Sequence, residues 1–245
     1  MRSWPVASIA TRRGSSRSSR SCGSPWSSTA PQWAGSRSAS RYRDAVPPTS
    51  RATQLGALVL LLRPTYVLTE VVTAAGTRGG YSFVADTVSK LGEVGTTDGY
   101  SSPRHAVMNG SFMGYGVALA GGALLMAAPL GPWVTGLLVV SGASSYAVGL
   151  APLDQDATLH ALAATPLFVA QPLALALLGH RLKHERPRLA KALLATGIVT
   201  AAGAVGFVLS GEESRVAGTL ERAALWPVLG GLAAFAWSYR PRRGQ

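Results

Sequence analysis

Nine polar side chains near the ends of long apolar segments are the residues of this chain best suited to chemistry: Asp86, Ser89, Lys90, His105, Asn109, Asp154, His160, Glu221 and Arg222. His105 and Asn109 are four residues apart, so they share one face of a helix. Imidazole and carboxylate groups bind zinc, so His105, Asp154 and His160 form a candidate metal site of hydrolytic type. No HExxH-type spacing accompanies them, which leaves the metal signal weak.

Two other interpretations stay open for the same nine residues. Ionisable groups in membrane segments usually face the bundle interior or a cavity, which predicts a cleft for a lipid headgroup or a small solute. Alternatively, they cap helices and form salt bridges at the membrane interface. Asp154, Asp156 and Glu221 stand before or at the start of apolar segments, where an acidic group suits a helix N-terminus.

Six apolar segments must position these side chains, at residues 55–75, 106–128, 133–153, 159–178, 189–209 and 223–239. A helix needs about 20 residues to cross the hydrocarbon core of a bilayer. The chain is 47% hydrophobic and 14% charged, whereas soluble domains carry about 25% charged residues. We therefore predict an all-α, multi-pass bundle of six transmembrane helices. The Gly-rich stretch 116–122 is predicted to be a helix-packing face.

The net charge of +12 would suggest a nucleic-acid partner, but residues 1–51 alone hold nine arginines against one aspartate, or +8. This Ser- and Arg-rich stretch has no apolar periodicity, so we interpret it as a disordered tail or as an extension from a misassigned start. Residues 52–240 then form the membrane domain and residues 241–245 a short basic end. We expect the lipid bilayer, and no nucleic acid, as the partner; protein partners are not predicted.

The distribution of basic residues predicts the orientation in the cell membrane. Lys and Arg dominate the loop between the fourth and fifth segments and the C-terminal end, whereas the opposite loops mix basic and acidic residues. The positive-inside rule therefore places both termini in the cytoplasm.

Two charges, Arg63 and Glu70, interrupt the first segment. They are seven residues apart, about two turns along one face, so both are candidates to face the interior or a polar cavity. Alternatively, Arg63 extends toward the inner interface and the helix proper begins near Pro64.

The stretch GYSFVADTVSKLG, residues 80–92, follows the first segment and is too polar to cross the membrane. Its apolar residues recur at helical spacing: Val84, Val88 and Leu91. We predict a short amphipathic helix at the outer interface, ended by Gly92. This helix would form a lid over the rim that holds His105, Asp154, His160 and Arg222.

Four stretches occur in an order typical of a known family: YSFVADTVSKLGEVG, SSPRHAVMNGSF, GLAPLDQDATLHALAA and ERAALWPVL. Over about residues 55–237 the chain resembles the domain-of-unknown-function 998 family of bacterial integral membrane proteins. The resemblance implies a multi-helix membrane protein without an established activity. The family pattern usually reads NTISDLG where this chain has DTVSKLG, so Lys90 stands at an expected acidic position. This difference favours a structural or electrostatic role for the loop over a catalytic one.

The sequence thus predicts a membrane bundle that binds a small solute or a lipid headgroup at its outer rim, without enzymatic activity and without a cofactor. The alternative is a membrane hydrolase that uses zinc at His105, Asp154 and His160. No catalytic residue is assigned.

Overall fold

The computed structural model describes residues 50–241, so the interpretations of residues 1–49 and 242–245 lie outside it. Its helices are α1 (Arg51–Leu61), α2 (Tyr66–Ala74), α3 (His105–Leu125), α4 (Ala127–Leu130), α5 (Pro132–Leu150), α6 (Ala157–Leu182), α7 (Pro187–Ser210) and α8 (Ala217–Trp237). Two 3-10 turns, Arg63–Thr65 and Ser89–Gly92, and one antiparallel hairpin, β1 (Thr96–Thr97) with β2 (Tyr100–Ser101), complete the described part. The prediction of an all-α fold is confirmed.

The long helices pack in sequence order around a common interior. Helix α3 packs against α5, α5 against α6, α6 against α7 and α7 against α8, and α1 contacts both α3 and α8. Two clusters of buried side chains fill this interior. The larger one includes Leu60, Leu119, Leu138, Leu178, Leu232 and Phe235. The smaller one includes Tyr66, Phe112, Val148, Leu167 and Leu229, together with Val88 and Leu91 from the loop after α2.

Four helical stretches of the described chain are long and apolar enough to cross a membrane: Arg51–Ala74, α5, α6 and α7. Helices α3 and α8 have 21 residues each, which is about 32 Å at 1.5 Å per residue, but they are less apolar. Large apolar side chains face outward on the long helices, such as Trp133 on α5 and Leu209 on α7, each 81% exposed. A multi-pass membrane protein is therefore confirmed, whereas six crossings stay a prediction.

The first of these stretches is interrupted in its middle. Pro64 has no N–H to continue the helical ladder, and Arg63–Thr65 form a 3-10 turn between α1 and α2. Ser50, which caps α1 by accepting from the Thr53 N–H at 3.1 Å, fixes the start of the stretch. Arg63, in the interruption, and Glu70, in α2, are both buried in the bundle.

The prediction of an amphipathic helix over residues 80–92 is wrong. Only Ser89–Gly92 is helical, as a 3-10 turn, and the rest consists of turns and loop. The Ala85 carbonyl accepts from the Gly218 N–H at 3.2 Å, and the Val84 carbonyl accepts from the Thr219 N–H at 3.0 Å. These loop carbonyls thus satisfy N–H groups in the first turn of α8 that have no partner within the helix, and they are not available for a helix of their own.

Glycines set the close approach of α3 and α5. A Cβ atom at Gly116 would lie 2.5 Å from the Gly142 carbonyl oxygen, and one at Gly142 would lie 2.5 Å from the Gly116 carbonyl oxygen. In the stretch 116–122, Gly122 likewise contacts Leu60, while Gly121 faces open space. The predicted packing face is therefore confirmed at Gly116 and Gly122.

We predict that Gly116→Ala and Gly142→Ala each destabilise the protein by about 1–3 kcal/mol, because the added methyl group forces two backbones apart. Thermal unfolding in detergent measures the effect.

Gly114→Ala and Gly136→Ala are the matched controls on the same two helices, since no other element among residues 50–241 comes within 4 Å of a Cβ atom there. They should be neutral or more stable by up to about 1 kcal/mol, as alanine favours a helix. Equal destabilisation of all four variants would contradict the close α3–α5 contact.

Candidate functional site

A buried ion pair joins α2 to α8. Arg222 Nε donates to Glu70 Oε1 at 2.6 Å, and Trp226 Nε1 donates to Glu70 Oε2 at 3.0 Å. Glu70 is fully buried and Arg222 is 5% exposed. Both carboxylate oxygens therefore have a donor, which a buried charge requires because it has lost its water.

The loop of residues 81–86 surrounds the guanidinium of Arg222. Its Nη1 atom lies 2.6 Å from the Phe83 carbonyl oxygen and 2.9 Å from that of Asp86, and its Nη2 atom donates to the Tyr81 hydroxyl. Burial raises the pKa of Tyr81 despite the nearby Arg222, so the hydroxyl stays neutral and donates to the Thr87 carbonyl. Gly218 permits this approach, because a Cβ atom there would lie 2.2 Å from the Asp86 carbonyl oxygen.

A chain of hydrogen bonds beside the ion pair links three elements. Ser89 Oγ lies 2.9 Å from Glu221 Oε1 and 3.0 Å from His160 Nε2. The second oxygen of Glu221 accepts from the Val88 N–H. His160 Nδ1 lies 2.6 Å from the Ala151 carbonyl oxygen, which only accepts, so Nδ1 carries a hydrogen.

Ser89 bridges the other two side chains of this chain. Its hydroxyl donates to the Glu221 carboxylate, and the same oxygen faces the Nε2 atom of His160. The three groups therefore form a continuous polar contact between the loop after α2, α6 and α8.

The Ser89–His160–Glu221 chain forms part of the wall of a cavity of about 150 Å³. Aromatic side chains from α2, α3, α6 and α7 form much of the wall: Tyr66, Phe112, Tyr115, Phe168 and Phe207. Arg63 and Gln171 also line it, and Glu212 lies at its exposed edge. The cavity is therefore amphipathic, with polar groups at several points of an apolar wall.

An apolar groove of about 590 Å³ runs along the outside of α6 and α7. Its wall includes Leu173, Ile198 and Leu209. Thr165, Phe168 and Val208 line both the groove and the cavity, so the two spaces adjoin at these residues.

The side chains of the other five predicted site residues make local contacts away from the Ser89–His160–Glu221 chain. These residues are Asp86, Lys90, His105, Asn109 and Asp154. Lys90 pairs with Asp86 at 2.7 Å on the surface. Asn109 donates to the Gly92 carbonyl at 2.8 Å, and His105 Nδ1 contacts the Ser102 carbonyl at 2.9 Å. Glu221 is not a cap of α8, which begins four residues earlier, whereas the predicted capping role holds for Asp156 at α6.

The structure does not bring His105, Asp154 and His160 together as a metal site. Among residues 50–241, no group of three or more His, Cys, Asp or Glu side chains is placed to hold a metal ion. The physical reason is that the ring Nδ1 atoms of His105 and His160 contact different carbonyls, and Asp154 accepts from the loop at 94–95.

Asp154 holds that loop electrostatically. Its carboxylate accepts from the Val94 N–H at 3.1 Å and from the Gly95 N–H at 2.7 Å. Partial burial alone would raise the pKa of Asp154, but these hydrogen bonds outweigh it and the pKa lies below its usual range. Burial, and then the charge of Asp154, raise the pKa of nearby Glu93.

Four residues that contribute to the site were not among the nine candidates: Arg63, Glu70, Tyr81 and Trp226. Charges within an apolar segment were the available signal for Arg63 and Glu70. Tyr81 and Trp226 carry no comparable signal, since their roles depend on the position of Glu70 and Arg222 in the fold.

The fold and the buried polar cluster define an all-helical, multi-pass integral membrane protein. The chain belongs to the family described as "Protein of unknown function (DUF998)", which matches residues 63–238. No curated protein and no solved structure matches it significantly.

We predict that Glu70→Gln destabilises the protein by about 3–5 kcal/mol, because it leaves the guanidinium of Arg222 buried without an anion. Thermal or denaturant unfolding in detergent measures the change.

The ion pair between Lys90 and Asp86 is the matched control, because its side chains are 31% and 21% exposed. Lys90→Gln should cost at most about 1 kcal/mol. If Glu70→Gln costs no more than Lys90→Gln, the buried pair does not stabilise the fold.

Asp154→Asn should lower the unfolding temperature near neutral pH, because an amide offers one acceptor oxygen to two N–H groups. The native pKa of Asp154 lies below its unfolded value, so its stabilisation is complete above the unfolded pKa and is lost as the pH falls through the native pKa. The difference from wild type should therefore shrink between about pH 7 and about pH 3.

The contribution of Glu93 to stability changes with pH in the opposite direction from that of Asp154, so Glu93 provides the comparison. Its native pKa is raised, so stability falls as the pH rises from the unfolded pKa toward the native one. Glu93→Gln should match or exceed wild type near neutral pH. A Glu93→Gln variant less stable than Asp154→Asn would refute these assignments.

Proposed function

We propose that the protein binds a single-chain amphiphile or lipid from the surrounding membrane. Its polar headgroup occupies the cavity and its hydrocarbon chain lies in the groove between α6 and α7. The observation that carries this proposal is that Thr165, Phe168 and Val208 line both spaces, so that cavity and groove are direct neighbours.

The side chains that line the cavity and the groove support this placement of the headgroup and the hydrocarbon chain. The groove presents almost entirely apolar side chains, which suit a hydrocarbon chain. The cavity presents hydroxyl, imidazole, amide and charged groups from Ser89, His160, Gln171 and Arg63, which suit a headgroup. Thr165 and Val208 are exposed where cavity and groove meet, so a molecule in the lipid phase has access from the side.

We further propose the placement in the cell membrane on which this function rests. Six helices cross, including α3 and α8, and both ends of the membrane domain lie in the cytoplasm. The basic connection from the end of α6 to the start of α7 supports this orientation through Arg181, Lys183, Arg186 and Arg188 under the positive-inside rule. The cavity then opens toward the outer leaflet.

The test is a titration of the detergent-solubilised protein with lysophosphatidylglycerol, monitored by thermal unfolding. Binding to the native state stabilises it by about 2.7 kcal/mol at a hundredfold excess over Kd. Val208→Trp should abolish the stabilisation, because the indole fills the junction of cavity and groove.

Val199→Trp is the matched control, since Val199 is 48% exposed on the same helix and lines neither space. It should respond as the wild type does. Equal responses from both tryptophan variants would exclude the proposed path.

A further inference from the structure

Arg63 is a buried cation in the middle of the first membrane stretch. Its side chain is 6% exposed, and it lies 12 residues after the start of the stretch at Arg51. That is about 18 Å along a helix axis, or the central part of a bilayer. An ionised group at this depth is normally paired or in contact with water.

Within the described part of the chain, no carboxylate lies within ion-pair distance of the guanidinium of Arg63. Nη1 donates to the Tyr115 carbonyl at 3.1 Å, while the buried Nε has no hydrogen-bond partner. The ion pairs among residues 50–241 are Glu70–Arg222 and Asp86–Lys90, and neither involves Arg63. An arginine stays protonated even when it is buried, so the positive charge persists without a matching anion.

The cavity is the space that Arg63 adjoins. The neighbouring wall consists of neutral groups, including Tyr66, Tyr115 and Ser145. Glu221, the buried carboxylate of the wall, is already bonded to the Val88 N–H and to Ser89. Glu212, the second carboxylate of the wall, is exposed at the edge of the cavity.

We propose that Arg63 binds an anionic group, a phosphate or a carboxylate, inside the cavity. A guanidinium presents a planar fork of donors that matches the oxygens of both anions. This inference rests on the proposed function and specifies the headgroup as anionic. A free anion that enters the cavity would meet the same donors, so the test distinguishes the two sources.

The experiment compares wild type, Arg63→Gln and Arg104→Gln in detergent. Arg104 is the matched control, because it also donates to a main-chain carbonyl, that of Val72 at 2.6 Å, but is exposed and outside the cavity. The probes are lysophosphatidylglycerol, the uncharged monoacylglycerol with the same chain, and glycerol 3-phosphate, which has no chain.

Arg63→Gln should weaken the binding of lysophosphatidylglycerol by at least about tenfold, the usual effect of losing a charged hydrogen bond. Binding of monoacylglycerol should stay at the wild-type level, and Arg104→Gln should change neither. Without ligand, Arg63→Gln should unfold at or above the wild-type temperature, because an unpaired buried charge is removed. Arg63→Lys, which keeps the charge and loses the fork, should bind lysophosphatidylglycerol more weakly than wild type.

Three results overturn this inference or the proposal beneath it. If Arg63→Gln binds lysophosphatidylglycerol as wild type does while Val208→Trp does not, the amphiphile site stands and the anion site is wrong. If ligand-free Arg63→Gln is much less stable than Arg104→Gln, the guanidinium is already satisfied and the inference fails. If glycerol 3-phosphate stabilises the protein through Arg63 while Val208→Trp leaves lysophosphatidylglycerol binding intact, the ligand is a free anion and the amphiphile proposal fails.

Discussion

The ion pair between Glu70 and Arg222 is the constraint on which one end of the bundle depends. Two charges removed from water are tolerated only when their remaining donors and acceptors are satisfied. Trp226 supplies a donor to Glu70, and the loop at 81–86 supplies acceptors to Arg222. Helices α2 and α8 are thereby held together with the loop that follows α2.

The same requirement explains the conformation of that loop. The carbonyls of Phe83, Val84, Ala85 and Asp86 all accept from α8, either from Arg222 or from main-chain N–H groups. Four consecutive carbonyls directed at another helix exclude an α-helix, in which each would accept from its own segment four residues later. Hydrophobic periodicity indicated a helix here because Val88 and Leu91 are indeed buried, but periodicity contains no information about where the carbonyls bond.

Much of the helical architecture was predictable, because long apolar runs have few alternatives in a membrane. The site was predictable only in part. The position of a residue along a predicted membrane segment indicates how deep its side chain lies in the membrane. The sequence therefore placed Ser89, His160 and Glu221 at the same depth. It does not give the direction around the helix axis, so His105 and Asp154 were grouped with them although they bond elsewhere. Glu70 and Arg63 were candidates to face the interior, and both side chains are buried, although a 3-10 turn at Arg63–Thr65 interrupts the helix between them.

Arg222 and Arg63 show two solutions to one physical problem within a single bundle. Arg222 has a carboxylate, three carbonyls and a hydroxyl around it, so its charge is compensated by the fold itself. Arg63 has one carbonyl and an adjoining cavity. A membrane domain tolerates such a charge where water or a ligand reaches it. The loop and α8 cover the cluster around Arg222, whereas exposed residues of α6 and α7 border the cavity that Arg63 lines. The two arginines therefore differ in how far the fold itself compensates their charge.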